Sequence, residues 1–203
     1  MDKYKQMNDS VTGLAYSLSV SNATITGLGT YSATGQLVIP STVDGHPVVA
    51  IGNNAFEYRY GLTSVTIGNS VITIGHLAFK GCSVLTSLTI GSGVTSIGHD
   101  AFAYCSGLTS VTIPASVTSI GYYAFFACSK LTSTSFLSDA PPAITGDQGE
   151  QIYNENVMFS YYPTIYVRAG TGWGNTWMGA NVSKTILPTV VKHNYTVYCY
   201  KYW

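Results

Sequence analysis

The sequence predicts an α/β solenoid with 23-residue repeats, each supplying one parallel β-strand and one short helical or 3₁₀ segment. The first observation is repetition, because one motif begins at Leu62, returns at Leu85 and Leu108, and opens a fourth time at Leu131. A period between about 20 and 50 residues is typical of solenoid proteins. The second observation is that every full copy joins an alternating, β-branched stretch to a glycine and an Ala-Phe pair.

Residues 1–34 are expected to form an N-terminal cap that contains a β-hairpin. The stretch "GLAYSLSVSNATITGLG" (13–29) indicates two alternating strands joined by a turn at Ser21 and Asn22. Such a hairpin would cover the first open coil of the array.

Residues 35–140 hold the repeats, which share the frame L-x-x-[VL]-x-I-x-x-x-V-x-x-I-G-x-x-A-F-x-x-C. The part "LTSVTI" is β-branched and alternating, which predicts a strand, and strands of successive coils would pair about 4.8 Å apart. The glycine predicts a tight bend into the helical or 3₁₀ segment. The first unit (35–56) carries an insertion at "DGHPV". We expect an internal column of aromatic rings from Phe79, Phe102 and Phe125.

The frame V-x-x-I-G-x-x-A-F-x-x-C, preceded by "LTSVTIP" (108–114) and opened by "IPSTVDGHPVVAIG" (39–52), resembles the BspA-like, or Treponema-type, leucine-rich repeat. The resemblance covers about residues 13–140 and implies a right-handed leucine-rich-repeat coil, capped at both ends. Members of this family resemble bacterial surface adhesins. The resemblance therefore implies a binding role at the cell surface or outside the cell, and it implies no catalytic residue.

The period is lost from Pro141 onward. "PPAI" and "MFSYYPTIYVRAGTGW" (158–173) resemble the degenerate closing coil of that family, which we assign to residues 141–188. Trp173 and Trp177 are expected to cover the last core layer rather than to contact a ligand. The tail (189–203) alternates as a strand, which leaves open whether it packs on the end of the solenoid or offers an edge to another copy. The candidate oligomer contacts are Tyr195, Tyr198, Tyr200, Tyr202 and Trp203.

Composition limits the class of partner. Nine Lys and Arg residues balance nine Asp and Glu residues, so no net charge favours nucleic acid or an anionic membrane. No apolar run approaches the roughly 20 residues that a transmembrane helix requires. The start "MDKYKQMNDSVTG" lacks the apolar segment of a secretory signal. We therefore expect either a cytoplasmic or virion-type chain, or one from which a targeting segment was removed.

Cysteine and histidine each recur at the repeat spacing. Cys82, Cys105 and Cys128 would stack one rung apart, within disulfide reach, but three thiols that point the same way are expected to be buried small hydrophobes. The thiol of Cys199, in the tail, could pair between chains. His76 and His99 also lie one repeat apart. Tyrosine takes the third position of that column, so we expect no metal site.

No sequence pattern of known catalytic chemistry is present. The chain has no G-x-S-x-G elbow, P-loop or H-E-x-x-H motif, and no carboxylate pair recurs at a fixed repeat position. We expect neither catalysis nor a cofactor.

Two surfaces are candidates for ligand binding. The exposed face of the predicted sheet would carry hydroxyl columns, formed by Ser64, Thr66, Ser87, Thr89, Ser110 and Thr112. The second surface surrounds the A-F-x-x-C segment, where the copies differ most and where variation on a constant frame can tailor a binding surface. Its candidates are Tyr58, Arg59, Tyr60, Tyr104 and Phe126. For both surfaces, ordinary solvated side chains are the alternative interpretation.

The favoured hypothesis is a non-catalytic adhesion module that recognises a protein or glycan on another cell or host matrix through the sheet and its aromatic flanks. A second hypothesis is a structural subunit of a filament, phage or virion assembly, in which the tail mediates self-association. Ice binding through the Ser and Thr ladder is a remote third hypothesis. Under all three hypotheses we expect neither nucleic acid binding nor membrane insertion.

Overall fold

The computed structural model of the 203-residue chain describes residues 7–30 and 34–145 and, further on, the backbone of four short strands. No helix long and apolar enough to cross a membrane occurs among these residues. The strands in chain order are β1 Met7–Asn8, β2 Ala15–Ser19, β3 Asn22–Gly27, β4 Gly35–Ile39, β5 Thr42–Val43, β6 His46–Ile51, β7 Leu62–Ile67, β8 Thr73–Ile74, β9 Ser87–Thr89, β10 Ser96–Ile97, β11 Ser110–Ile113, β12 Ser119–Gly121, β13 Ser133–Phe136, β14 Ala143–Thr145, β15 Thr164–Arg168, β16 Thr176–Trp177, β17 Ala180–Asn181 and β18 Tyr195–Tyr198.

The coil is a parallel β-solenoid with two strands per repeat. The first sheet has the order β1-β2-β3-β6-β8-β10-β12-β14, with β5 paired to β6. The other strand of each repeat lies in the ladders β4-β7-β9 and β11-β13-β15-β18. The prediction of one strand per repeat is therefore incomplete. The V-x-x-I-G segment forms a second short strand because its backbone pairs with the same segment of neighbouring coils.

Register follows the repeat. Ile51 pairs with Ile74, Ile74 with Ile97, and Ile97 with Ile120. Equivalent residues therefore lie side by side in successive coils, which is the geometry that a solenoid of 23-residue units requires. The predicted parallel solenoid is confirmed.

The residues after each glycine form consecutive turns, so the predicted helical or 3₁₀ segments are not confirmed. In the second repeat, the N–H groups of Leu77, Phe79 and Gly81 donate to carbonyl oxygens of the next coil at 2.7–2.9 Å. These donors are therefore not available for a helix. Leu77 and Gly81 also have φ values of 56° and 74°, and left-handed residues four positions apart interrupt a right-handed helix.

The core is built from columns of identical side chains. Phe56, Phe79, Phe102 and Phe125 stack with centroids 5.1 to 5.3 Å apart and planes within 16°. All four rings are buried. The expected aromatic column is confirmed, and it begins one repeat earlier than the sequence indicates.

The cysteines Cys82, Cys105 and Cys128 are free and buried, as expected. Each Sγ lies 3.2 to 3.3 Å from a phenylalanine carbonyl oxygen of the preceding coil. Burial raises the pKa of Cys82 to about 11 and that of Cys128 to about 12. Cys199 lies outside the described residues.

The insertion of the first repeat connects the coil to the N-terminal hairpin. β5 and β6 pair across Asp44 and Gly45, whose φ values of 44° and 80° suit the Asp-Gly turn of a tight hairpin. Asp44 then accepts hydrogen bonds from the Ser10 hydroxyl and the Tyr16 hydroxyl, both at 2.7 Å. These contacts hold the hairpin of β2 and β3 against the first coil.

Candidate functional site

The candidate site lies on the turns that carry the A-F-x-x-C segment. Tyr58, Gly81, Tyr104 and Ala127 occupy the same position of successive repeats, and each has a positive φ between 55° and 74°. Large and small side chains therefore alternate along this column. The missing side chain at Gly81 leaves room for the Tyr58 ring, which lies over the Gly81 backbone.

A second column runs beside the first, two residues further along each repeat. It consists of Tyr60, Ser83 and Ser106, and the Ser106 hydroxyl donates to the Ser83 carbonyl at 3.3 Å. The two columns enclose a surface cleft of about 470 Å³, which we name the tyrosine groove. Its lining residues are Tyr58, Tyr60, Lys80, Gly81, Ser83, Tyr104, Ser106 and Ala127.

One wall of the tyrosine groove is formed by Tyr58 and Tyr60. Their ring centroids are 6.0 Å apart, and the Tyr58 ring lies so close to the Gly81 backbone that a methyl group at Gly81 would overlap it. The two tyrosines remain 50% and 62% exposed. Large aromatic surface is thus available to a ligand.

The opposite wall combines an aromatic ring with a charged pair. Lys80 Nζ lies 5.9 Å from the centroid of the Tyr104 ring and 3.7 Å from Asp100 Oδ1. A cation at this distance from a ring face is weakly attracted to it. The charge of Lys80 is also balanced by a neighbouring carboxylate.

The aromatic surface continues beyond the groove. The Phe126 ring contacts the Tyr104 ring edge to face, with centroids 5.7 Å apart, and it contacts Tyr123 in the same way at 5.2 Å. Phe126 therefore supports Tyr104 from outside the groove.

The structure brings some of the sequence-predicted site residues together. Tyr58, Tyr60 and Tyr104 line one groove, and Phe126 packs beside it. Arg59 is exposed but does not line the groove. The sequence-based candidates did not include Gly81, Ser83 or Ser106. The alternation of Tyr, Gly, Tyr and Ala at one repeat position is the sequence signal that could have indicated them.

The predicted hydroxyl columns lie on a different segment. Ser64 and Thr66 pair in register with Ser87 and Thr89, and the exposed Ser110 and Thr112 pair with the serines of β13. Within the described ladders, β9 and β11 are not joined by strand pairing. The strand pairing is therefore continuous in two blocks, although β9 and β11 still lie side by side, and the binding role of the columns stays a prediction.

The tail contributes β18, which pairs antiparallel with β15. In the register, Tyr195 lies opposite Arg168, and Tyr198 lies opposite Ile165. This pairing favours the interpretation that the tail packs on the end of the solenoid. Tyr200, Tyr202, Trp203 and Trp173 lie outside the described residues, and the oligomer contacts stay a prediction.

The two repeated histidines form a hydrogen-bonded ladder. His76 and His99 have ring centroids 5.2 Å apart. The backbone N–H of His99 donates to His76 Nδ1 at 3.0 Å, and His99 Nδ1 lies 2.6 Å from Asp100 Oδ2. Both Nδ1 atoms thus have protein partners. In the part of the chain that the structure describes, no three His, Cys, Asp or Glu side chains are grouped for metal binding.

The sequence and the fold both match known leucine-rich-repeat proteins. Residues 49–143 match the family model of the BspA type leucine rich repeat region in six copies. A leucine-rich repeat protein from T. pallidum is 30% identical, with a TM-score of 0.61 over 69% of this chain and 64% of its own length. One from Bacteroides capillosus is 32% identical, with a TM-score of 0.51 over 57% of this chain and 86% of its own.

A third solved structure, a leucine-rich repeat protein from Bacteroides ovatus, is 25% identical, with a TM-score of 0.54 over 75% of this chain and 39% of its own. No curated protein gives a significant match. The family model, the identity and the shared coil agree with the stacked repeat positions described above. The chain belongs to the family of BspA-type leucine-rich-repeat proteins.

Proposed function

We propose that this chain is a non-catalytic binding module that acts outside the cell, and that its ligand, a protein or a glycan, contacts the tyrosine groove. The observation that carries the proposal is the position of Tyr58, Tyr60 and Tyr104 around one cleft of about 470 Å³. Binding sites for small ligands commonly measure about 300–1,000 Å³ and are lined mostly by hydrophobic and aromatic residues.

Of the four tyrosines that are exposed among the described residues, three line this groove. Tyr104 is 48% exposed, and Tyr58 and Tyr60 are exposed further. Tyrosine contributes large contact area with few rotatable bonds, so that binding costs little side-chain entropy. Three such residues around one cleft favour a binding role over an ordinary solvated surface.

The proposal is tested with purified chain on arrays of matrix proteins and glycans, followed by titration of each hit. Tyr104→Ala is expected to weaken binding about tenfold or more, since truncation of an aromatic hot-spot residue costs about 2 kcal/mol or more. Tyr123→Ala is the matched control, because Tyr123 is also exposed, has φ of 54° and does not line the groove.

A second variant separates the groove from the hydroxyl columns. Thr89→Lys changes the exposed sheet face and leaves the groove intact. If Thr89→Lys abolishes binding and Tyr104→Ala does not, the ligand contacts the sheet and the groove proposal is wrong. If neither array yields a ligand, the binding role itself is contradicted.

A further inference from the structure

We propose that the tyrosine groove selects a neutral oligosaccharide. This inference rests on the proposed binding function and specifies its ligand class. It follows from which polar groups of the groove are already occupied, which remain available, and what charge they carry.

Three backbone N–H groups on the main column of the groove are already occupied. The N–H groups of Tyr58, Gly81 and Tyr104 each donate to a carbonyl of the next coil at 2.7 Å. A peptide that adds itself as a strand gains its affinity from main-chain hydrogen bonds. Such a peptide would find these donors occupied, so recognition at this column must use side chains.

The side chains that remain are mostly hydroxyls. The three tyrosines of the groove each carry a phenolic O–H and Ser83 carries an aliphatic one, while the Ser106 hydroxyl donates to the Ser83 carbonyl and can still accept. A hydroxyl donates one hydrogen bond and accepts others. Sugar hydroxyls have the same dual capacity, so they can be satisfied by these groups in either direction.

The rings of the groove complement the other part of a sugar. The C–H-bearing face of a pyranose is apolar and weakly positive, and the face of a tyrosine ring is apolar and weakly negative. Tyr58 and Tyr104 belong to one repeat position two coils apart, which corresponds to about 9.6 Å along the coil axis. The Tyr58 ring leans over Gly81 of the intervening coil, so the two rings together line a surface that suits a chain of sugars better than a single one.

The charge of the groove favours a neutral glycan over an acidic one. Lys80 is its one lining residue with a formal charge, and Lys80 Nζ lies 3.7 Å from Asp100 Oδ1. The carboxylate of an acidic sugar at Lys80 would lie close to the like charge of Asp100, which disfavours its binding. A neutral sugar can accept a hydrogen bond from the ammonium group and leave the pair in place.

The test is calorimetric titration of the whole chain with cellohexaose, maltohexaose, mannohexaose and chitohexaose, and with hexagalacturonate as the acidic probe. We expect at least one neutral hexasaccharide to bind and hexagalacturonate to bind at least about tenfold more weakly. Ser83→Arg, which fills the groove, is expected to abolish binding. Ser129→Arg is its matched control, because Ser129 takes the same repeat position two coils further and lies outside the groove.

The tyrosine hydroxyls are tested separately from the rings. Tyr104→Phe is expected to keep part of the affinity that Tyr104→Ala loses, because the ring is retained. Circular dichroism spectra of all variants show whether the coil remains folded.

Three outcomes would overturn the inference in different ways. If the chain uses the groove to bind an enzymatically deglycosylated protein, and binds none of the neutral hexasaccharides, the glycan inference fails while the binding function stands. If the chain binds neither sugars nor any protein on the arrays, both fail. Preference for hexagalacturonate would also contradict the inference.

Discussion

The rings of Phe79 and Phe102 lie parallel, with centroids 5.2 Å apart and planes that differ by 2°. Both are fully buried, and Phe102 stacks on Phe125 in turn. The separation slightly exceeds the 4.7–4.9 Å spacing of paired strands. The repeat spacing of the backbone is thus carried into the core by one aromatic residue per coil.

Phe102→Ala is expected to destabilise the chain by about 3–5 kcal/mol, because it leaves a cavity between two neighbouring rings of the column. Urea unfolding followed by circular dichroism measures the loss. Phe126→Ala in the next repeat is the control, since Phe126 is only partly buried and lies outside the column. Equal losses for the two variants would show that the column contributes nothing special to stability.

Gly81→Ala is expected to destabilise the chain more than Gly45→Ala. Both glycines have a positive φ, of 74° and 80°, so each substitution places an L residue in the left-handed region at about 1–2 kcal/mol. A methyl group at Gly81 would also overlap the Tyr58 ring, whereas nothing lies within 4 Å of the corresponding position at Gly45. The difference between the urea unfolding midpoints of the two variants measures the effect of the overlap with the Tyr58 ring. A larger loss for Gly45→Ala would contradict the packing of Tyr58 on Gly81.

Ala127→Gly and Ala124→Gly are expected to have opposite effects. Ala127 has φ of 57°, so glycine relieves a left-handed alanine and is expected to stabilise the chain by up to about 1 kcal/mol. Ala124 is fully buried in the same repeat and is not in the left-handed region, so glycine there leaves a void. Thermal unfolding of the two variants shows whether each substitution stabilises or destabilises the chain. Destabilisation by Ala127→Gly would contradict the turn geometry.

Asp44 is expected to make stability depend on acid pH. Hydrogen bonds from Ser10 and Tyr16 lower the pKa of Asp44 to about 2 from an ordinary 3.8. Because the pKa of Asp44 is lower in the folded chain than in the unfolded one, ionised Asp44 contributes fully to the free energy of unfolding above pH 3.8. This contribution is lost as pH falls toward 2. Urea midpoints are therefore expected to fall across this window. Asp44→Asn is expected to be less stable at neutral pH and to lose less on acidification.

Tyr16 provides the corresponding test at alkaline pH. Burial and the hydrogen bond to Asp44 raise the pKa of Tyr16 from 10.0 to about 12. The protonated Tyr16 hydroxyl therefore contributes to the free energy of unfolding below pH 10, and this contribution is lost as pH rises toward 12. Tyr16→Phe is expected to flatten the alkaline decline. If stability fell with acid as steeply in Asp44→Asn as in the unchanged chain, the role given to the hydrogen bonds of Asp44 would be contradicted. An equally steep alkaline fall in Tyr16→Phe would contradict the role given to the Tyr16 hydrogen bond.

The buried thiols are expected to resist modification. Burial raises the pKa of the three described thiols, and the thiolate is the reactive form. In a Cys199→Ser background, a chromogenic thiol reagent at about pH 8 is expected to label no thiol of the native chain and three after unfolding in urea. Rapid labelling of the native chain would contradict the burial of the column.

Some properties follow from the sequence alone because they depend only on periodicity. A residue type that returns every 23 positions must return to the same place in a regular coil, so the solenoid, the phenylalanine column and the buried thiols could be predicted before any coordinates. The apolar positions of the frame determine these features, since one coil can bury its apolar face only against the next.

Other properties were decided only by the tertiary structure. The V-x-x-I-G segment forms a strand and the A-F-x-x-C segment forms a series of turns. Their hydrogen-bond partners lie one coil away, so the local sequence propensity of each segment does not determine these structures. The tyrosine groove likewise depends on the sign of φ at Tyr58 and Tyr104 and on the absence of a side chain at Gly81. The sequence by itself determined the coil and its core. The tertiary structure decided which variable side chains face one another across the coils.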